Sequence, residues 1–125
     1  MLLAIDPGKE KCGVALFDDS GKLVSKKVVE RWELKTYLGG IKTNELVIGL
    51  GAFGRELKKE IKSYLPNARI DFVSEINSSR QARRLYWREH PPRGLWRLIP
   101  TSLRTPPVPI DDYAAVILGE RHLKG

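Results

Sequence analysis

The sequence predicts an α/β fold, in which a mixed five-stranded sheet begins with three antiparallel strands and carries helices on both faces. Two observations support this prediction. Short apolar runs separated by turn residues occupy the first 30 positions, which is typical of strands joined by hairpins. From residue 31 onward, helical spacings alternate with short apolar runs, which is typical of a sheet extended by βα crossovers. The predicted element order is βββαβαβα, followed by a final helix.

The first three strands are predicted near residues 2–6, 12–18 and 23–30. A turn centred on Gly8 separates the first two strands. Residues 18–21 (Asp-Asp-Ser-Gly) suit a hairpin loop between the second and third. We therefore expect these strands to pair antiparallel.

Helix and strand patterns alternate in the next part of the chain. A short helix, ended by two glycines, is predicted from the spacing of Trp32, Leu34, Tyr37 and Leu38. The continuous apolar run 45–50 predicts a parallel strand buried on both faces. The other elements predicted here are a basic helix over about 53–65, a strand over 69–74 and a helix from Ser78 to about Glu89.

The last third of the chain predicts a long loop and one more helix. Residues 90–109 contain six prolines and three arginines, so we expect an extended loop. Asp111 or Asp112 is expected to cap the helix that follows. The two βα crossovers must be right-handed to return to the same sheet, and the resulting topology is RNase H-like. We expect residues 1–125 to form a single domain.

The charge of the chain favours a polyanionic partner. The formal net charge is +7 and the pI is about 9.7. Basic residues concentrate in the ranges 58–62 and 80–104. Such a balance is typical of nucleic-acid binding, although a solvated basic surface without a specific partner gives the same composition.

Two further features bear on localisation and redox chemistry. The longest uncharged apolar stretch, residues 46–54, is too short to cross a bilayer, so we expect a cytoplasmic protein without membrane association. A single cysteine, Cys12, excludes an internal disulfide, and its position in an apolar strand predicts a buried thiol.

Acidic residues stand at the ends of three predicted elements. Asp6 closes the first strand, Glu75 follows the last strand, and Asp111 and Asp112 open the final helix. If these ends meet, carboxylates about 4 Å apart repel by roughly 4 kcal/mol at an effective dielectric constant near 20. Protonation or a bound cation would relieve this repulsion, and oxygen ligands favour Mg²⁺ or Mn²⁺. Taken singly, each acid also suits a turn, a solvated strand end or a helix cap.

The chain also resembles a known family, the YqgF proteins, over nearly its whole length. Residues 5–8 (Ile-Asp-Pro-Gly) and 13–15 (Gly-Val-Ala) are similar to the first motif of that family. Residues 74–83 are similar to the second motif, in which an acid on the last strand precedes a Ser/Thr pair and an Ala-Arg. Residues 110–118 resemble the third motif, and residues 47–50 match the central strand.

YqgF proteins are described as pre-16S rRNA nucleases related to the RuvC Holliday junction resolvases. The resemblance implies an endonuclease that requires Mg²⁺ or Mn²⁺ and hydrolyses phosphodiester bonds in structured RNA or branched DNA. The implied catalytic and metal-binding acids are Asp6, Glu75 and Asp111, with Asp112 as a substitute or extra ligand. Lys9 and Lys11 flank the position of a basic residue in the first motif and are candidate nucleic-acid contacts. RuvC relatives act as dimers, so a homodimer and a monomer both remain open.

The central strand departs from the RuvC pattern. It ends in Gly49-Leu50-Gly51 without a carboxylate, which favours YqgF over RuvC and assigns the second acid to Glu75. We expect Glu75 to lie one strand further from Asp6. Two strand spacings are roughly 10 Å, so the side chains must lean inward to share an ion.

The helix predicted after Glu75 carries a stripe of arginines. Spacings of i, i+4, i+7 and i+8 relate Arg80, Arg84, Trp87 and Arg88, and Arg83 lies alongside. Guanidinium groups bind phosphate, and an indole can stack on an unpaired base, so this stripe predicts a nucleic-acid contact. In the alternative interpretation, the helix is solvated and Trp87 packs under the loop that begins at Pro91.

Two other functions fit parts of the sequence. Gly49, Gly51 and Gly54 spell G-x-G-x-x-G between a strand and a helix, which is the pattern of dinucleotide-binding proteins. Against that function, the motif follows the fourth strand, and too few residues remain for a second nucleotide-binding half. A catalytically inactive RNA-binding protein on the same fold is the other alternative.

Overall fold

The strands form a five-stranded sheet with the spatial order β3-β2-β1-β4-β5. The computed structural model describes residues 1–41, 43–90 and 110–124. The strands are β1 (Leu2–Asp6), β2 (Lys11–Phe17), β3 (Leu23–Glu30), β4 (Glu45–Leu50) and β5 (Arg69–Ser74). All five agree with the sequence prediction to within one residue at each end.

The helices also lie where the sequence predicts them. A 3₁₀ turn over Arg31–Glu33 leads into the first of them, and the helices are α1 (Leu34–Gly39), α2 (Gly54–Tyr64), α3 (Ser78–Glu89) and α4 (Asp111–Lys124). Asp111 and Asp112 both lie inside the first turn of α4, where the positive end of the helix dipole favours carboxylates. Apart from His90, the loop predicted over 90–109 lies outside the described residues.

The strand directions confirm the predicted mixed sheet. β1 pairs antiparallel with β2, and β2 pairs antiparallel with β3. β1 pairs parallel with β4, and β4 with β5. A three-stranded meander extended by two crossovers is the layout of RNase H-like proteins, with β1 at the centre.

Each face of the sheet is covered by a different helix pair. On one face, Leu3, Ile5 and Ile48 are buried with α1 and with Leu57 and Ile61 of α2. On the opposite face, α4 and α3 pack on Ala4, Ala15, Phe17 and Val47. Burying each large apolar side chain contributes about 1.5–3 kcal/mol, so the first face supplies much of the folding energy.

The side-chain alternation of β1 brings Asp6 onto the α4 face. Leu2 and Ala4 belong to the cluster beneath α4, and Asp6 follows them with the period of two. Gly13 pairs with Asp6 across β2, and a Cβ atom at Gly13 would overlap the Asp111 carbonyl. The missing side chain of Gly13 therefore lets the start of α4 lie directly beside the end of β1.

Among the described residues, no helix is both long enough and apolar enough to cross a membrane.

Replacing Gly13 by alanine tests this close approach. We expect Gly13→Ala to lower the free energy of unfolding by about 1–3 kcal/mol, because the added methyl group forces α4 away from β2. Gly39→Ala is the matched control, since nothing lies within 4 Å of a Cβ atom there and alanine favours the helix. Urea unfolding of both variants measures the difference, and equal midpoints would contradict the proposed contact.

Candidate carboxylate site

The site centres on Asp6 and Glu75, which come from strands separated by β4. Asp6 is the last residue of β1 and is partly buried, and Glu75 directly follows β5. A Cβ atom at Gly49 or Gly51 would overlap the Glu75 carboxyl group. The Glu75 side chain therefore lies across the end of β4 and reaches towards Asp6, as the two-strand separation requires.

Gly49 and Gly51 form a gap in the side-chain layer of the sheet. Both positions face the Glu75 carboxyl group, so any larger residue there would displace Glu75. Glycine is required at position 54 for a different reason. Gly54 begins α2, and a Cβ atom there would overlap the Gly49 carbonyl. The three glycines of the G-x-G-x-x-G pattern therefore serve the packing of Glu75 and of α2. The space in which a dinucleotide-binding protein holds its pyrophosphate contains a carboxyl group here.

The two carboxyl groups interact strongly. Burial raises the pKa of Asp6 from 3.8 to about 7, and the Glu75 carboxylate adds to this increase through its charge and a side-chain hydrogen bond. The charge of Asp111 raises it further. Near neutral pH and without a cation, Asp6 is therefore partly protonated. Its proton relieves the repulsion between Asp6 and Glu75, as a bound cation would.

One oxygen of Glu75 has no protein partner. Oε1 is buried and accepts no hydrogen bond from the described residues. A buried acceptor without a donor costs about 1–3 kcal/mol. Such an atom next to a second carboxyl group is an arrangement that a cation would stabilise.

Asp111 is the third acid near this pair. Its backbone lies over Gly13, the residue paired with Asp6, and its charge contributes to the raised pKa of Asp6. Burial and the charge of Asp112 raise the pKa of Asp111, whereas Lys11 opposes this change. Asp111 therefore lies at the rim of the site, with Lys11 beside it.

Asp112 has other partners. Its carboxylate forms an ion pair with Lys26 of β3 at 3.2 Å and accepts a hydrogen bond of 3.0 Å from the backbone N–H of Tyr113. The Lys26 ammonium group also lies 4.1 Å from the centre of the Tyr113 ring. Of the two neighbouring aspartates, Asp111 is thus the one whose carboxylate is available to the site.

The donor set fits Mg²⁺ or Mn²⁺, although it is small. Within residues 1–41, 43–90 and 110–124, no three Asp, Glu, His or Cys side chains are close enough together to form a complete ion site. Mg²⁺ commonly uses one or two carboxylates and completes its octahedron with water and substrate phosphate. Asp6 and Glu75 meet this requirement, because they present carboxyl oxygens and one of these oxygens has no other partner.

The arginines of α3 occupy the positions predicted for nucleic-acid contact. Arg80, Arg84 and Arg88 are exposed, while Arg83 is partly buried and its Nε finds no acceptor in the described part of the chain. A groove of about 340 Å³ between α3 and α4 is lined by Gln81, Arg84, Leu85, Arg88, Ile117, Glu120 and Lys124. Lys9 and Lys11 are exposed at the turn that follows Asp6.

Trp87 lies closer to the protein interior than the arginines. It is partly buried against a cluster that includes Ala82, Tyr86 and Tyr113, and its ring meets Tyr86 edge to face with centroids 5.1 Å apart. Ala82 is buried, so this side of α3 faces the protein interior. The structure shows this packing of Trp87. Base stacking by Trp87 stays a prediction.

Two arginines that the sequence analysis did not select support the site. Arg31 donates a hydrogen bond of 2.9 Å to the Gly8 carbonyl and thereby holds the turn after Asp6. Arg121 donates to the Ser74 carbonyl at 2.8 Å and to Gln81 Oε1 at 2.9 Å, so it fixes the segment that carries Glu75. Both contacts join residues distant in sequence, and no local pattern identifies them.

No family model matches the chain, and no curated protein matches it.

A double-mutant cycle tests the role of the glycine gap. We expect Gly51→Ala to destabilise the protein by about 1 kcal/mol, because the methyl group displaces only the end of a flexible side chain, the Glu75 carboxyl group. The same substitution in a Glu75→Ala background should cost much less, giving a coupling energy of at least about 0.5 kcal/mol in urea unfolding. Gly39→Ala should have the same effect in both backgrounds. A Gly51→Ala penalty that does not depend on Glu75 would refute this explanation.

The raised pKa of Asp6 predicts a pH-dependent stability. Folded Asp6 retains its proton up to about pH 7, whereas the unfolded chain loses it near pH 4, so this contribution is fully present below pH 4 and lost through pH 7. In EDTA, the wild type should therefore lose about 2–3 kcal/mol relative to Asp6→Asn between pH 5 and pH 8. Urea unfolding at both pH values measures this change. Asp71→Asn, on the exposed side of β5, retains Asp6 and should therefore lose stability over this pH range as the wild type does.

Proposed function

We propose that this protein is an endonuclease of the RNase H-like fold that requires Mg²⁺ or Mn²⁺ and hydrolyses phosphodiester bonds in structured nucleic acid. The observation that carries the proposal is the Asp6–Glu75 pair. The two carboxyl groups lie together at the C-terminal ends of the parallel strands. The pKa of Asp6 is raised, and one oxygen of Glu75 has no partner among the described residues. A fold gains no stability from such a pair, so the arrangement favours a role in binding a cation.

Asp6 and Glu75 would hold the ion, and Asp111 at the rim would complete the acidic surface. A bound Mg²⁺ or Mn²⁺ supplies an activated water and charge stabilisation at the leaving 3′ oxygen. The protein residues supply position and charge. Asp6 must release its proton before it can bind a cation, so we expect metal affinity to increase with pH through about 7.

The basic residues around the site favour nucleic acid as the substrate. Lys11 lies close enough to Asp111 to lower its pKa, and Lys9 is exposed on the same turn. The exposed arginines of α3 follow directly after the Glu75 segment. Cations on both sides of an acidic centre can hold the phosphates before and after the bond to be cut, without reading the base sequence.

The resemblance to YqgF proteins supports precursor 16S rRNA as the first substrate to test, with four-way DNA junctions as the second. Trimming of a precursor RNA needs one active site, whereas symmetric cutting of a junction needs a homodimer. A cytoplasmic location belongs to the same proposal, because ribosome precursors are made there.

One observation favours a second candidate, a catalytically inactive RNA-binding protein. Asp111 does not join Asp6 and Glu75 in a three-carboxylate cluster within the described residues. A protein of this kind would bind RNA through the arginines of α3 and leave the Asp6–Glu75 pair without a metal ion. Binding without cleavage in either metal would favour this function.

Cleavage assays with matched variants test the nuclease. We expect Asp6→Asn and Glu75→Gln to lower the cleavage rate of labelled precursor rRNA or of a four-way junction by about 100-fold or more, because each removes a charge that holds the ion. Asp111→Asn should have a smaller effect of the same sign. Asp71→Asn, with the same change of charge on β5, should cut at the wild-type rate. If Mg²⁺ and Mn²⁺ produce no cleavage of either substrate, or if Asp6→Asn retains full activity, the nuclease assignment is wrong.

A further inference from the structure

A row of four cations runs along α2, on the side of the sheet opposite to the carboxylate site. Arg55, Lys58, Lys59 and Lys62 follow the helical spacing i, i+3, i+4 and i+7. This spacing places the four side chains on one flank over about 10 Å of helix. Positive charge is thus concentrated on one line of the surface.

The acids of the same helix do not neutralise this row. Glu56 and Glu60 both contact Arg31, with N–O distances of 3.7 and 3.1 Å. In the part of the chain that the structure describes, no carboxylate lies within ion-pair distance of the four cations. The acidic and basic sides of α2 are therefore separated, and the basic side has no internal counter-charge.

An aromatic floor lies beneath the row. Phe72 of β5 lines a groove of about 390 Å³ together with Arg55, Lys58, Lys59 and Lys62. The Lys58 ammonium group lies 5.3 Å from the centre of the Phe72 ring. These five residues are called the α2 groove below. It lies along the edge of the sheet, because β5 is an outer strand.

We propose that the α2 groove binds the backbone of single-stranded nucleic acid. The cations match successive phosphates, and the aromatic floor and lysine stems offer an apolar surface to sugars and bases. A duplex would keep its bases away from Phe72. An acidic peptide would use the cations and leave the aromatic floor without a partner of matching shape.

The position of the α2 groove suggests how it relates to the carboxylate site. α2 covers one face of the sheet and α3 the other, and β5 is the edge between them. A strand that passes the arginines of α3 and turns around β5 would meet the α2 groove next. This inference rests on the proposed nucleic-acid substrate but does not depend on cleavage or on a bound metal.

Binding of a labelled 20-nucleotide oligo(U) RNA to the full chain, measured by fluorescence anisotropy in EDTA over a range of KCl concentrations, tests the inference. We compare Lys58→Gln/Lys59→Gln with Lys22→Gln/Lys27→Gln, which removes the same charge from the β2–β3 hairpin. Loss of two phosphate contacts should reduce the slope of log affinity against log salt by about 1.4 in the α2 variant alone. Phe72→Leu should weaken binding by about fivefold or more without changing this slope. Lys62 is left unchanged because its ammonium group donates to the Ala68 carbonyl.

The outcomes separate this inference from the nuclease assignment. Equal slopes for the two lysine variants would overturn the proposed binding of nucleic acid by the α2 groove. They would not affect the nuclease assignment of the carboxylate site. Competition by poly-glutamate as effective as by unlabelled RNA would assign the groove to an acidic protein instead. Normal α2-dependent RNA binding together with no cleavage in Mg²⁺ or Mn²⁺ would support the groove and refute only the nuclease.

Discussion

The central constraint on this structure is that two carboxyl groups from strands separated by a third must meet on one face of the sheet. Strand spacing places the Asp6 and Glu75 backbones roughly 10 Å apart, so the longer side chain has to cross β4. Gly49 and Gly51 make this crossing sterically feasible because neither places a Cβ atom beneath Glu75. The position of the Glu75 side chain therefore requires both glycines, so the acidic site constrains the sequence at the end of β4.

Maintaining this pair requires support from the rest of the fold. Repulsion and burial raise the pKa of Asp6, and the resulting cost reduces the stability of the ionised protein. The apolar cluster beneath α1 and α2 offsets that cost with large buried side chains. On the opposite face, the missing side chain of Gly13 leaves room for the start of α4. Arg121 joins α4 to the end of β5 and to α3 on this face.

The sequence predicts the fold well, because apolar runs and turn residues are local signals. The strands, the helices and the antiparallel start of the sheet follow from them. It also predicts that Asp6 and Glu75 stand at the ends of two strands with one strand between them. The ion pair of Asp112 with Lys26 and the packing of Trp87 against Tyr86 are long-range or rotamer-dependent contacts, so no sequence pattern distinguishes Asp111 from Asp112 or stacking from packing. The glycine pattern was visible as a dinucleotide motif, and only the position of the Glu75 side chain reveals its structural role.

Arg31 connects the two proposed surfaces. Its guanidinium group holds the Gly8 carbonyl in the turn after Asp6, and it also contacts Glu56 and Glu60 of α2. The same group therefore fixes the loop that carries Lys9 and Lys11 and draws the acids of α2 away from the basic flank. Because Arg31 is mostly buried while both acids are largely exposed, these ion pairs contribute little stability through charge alone. Their main effect is to distribute charge, with negative groups gathered around one arginine and positive groups left facing solvent, where a polyanion can reach them.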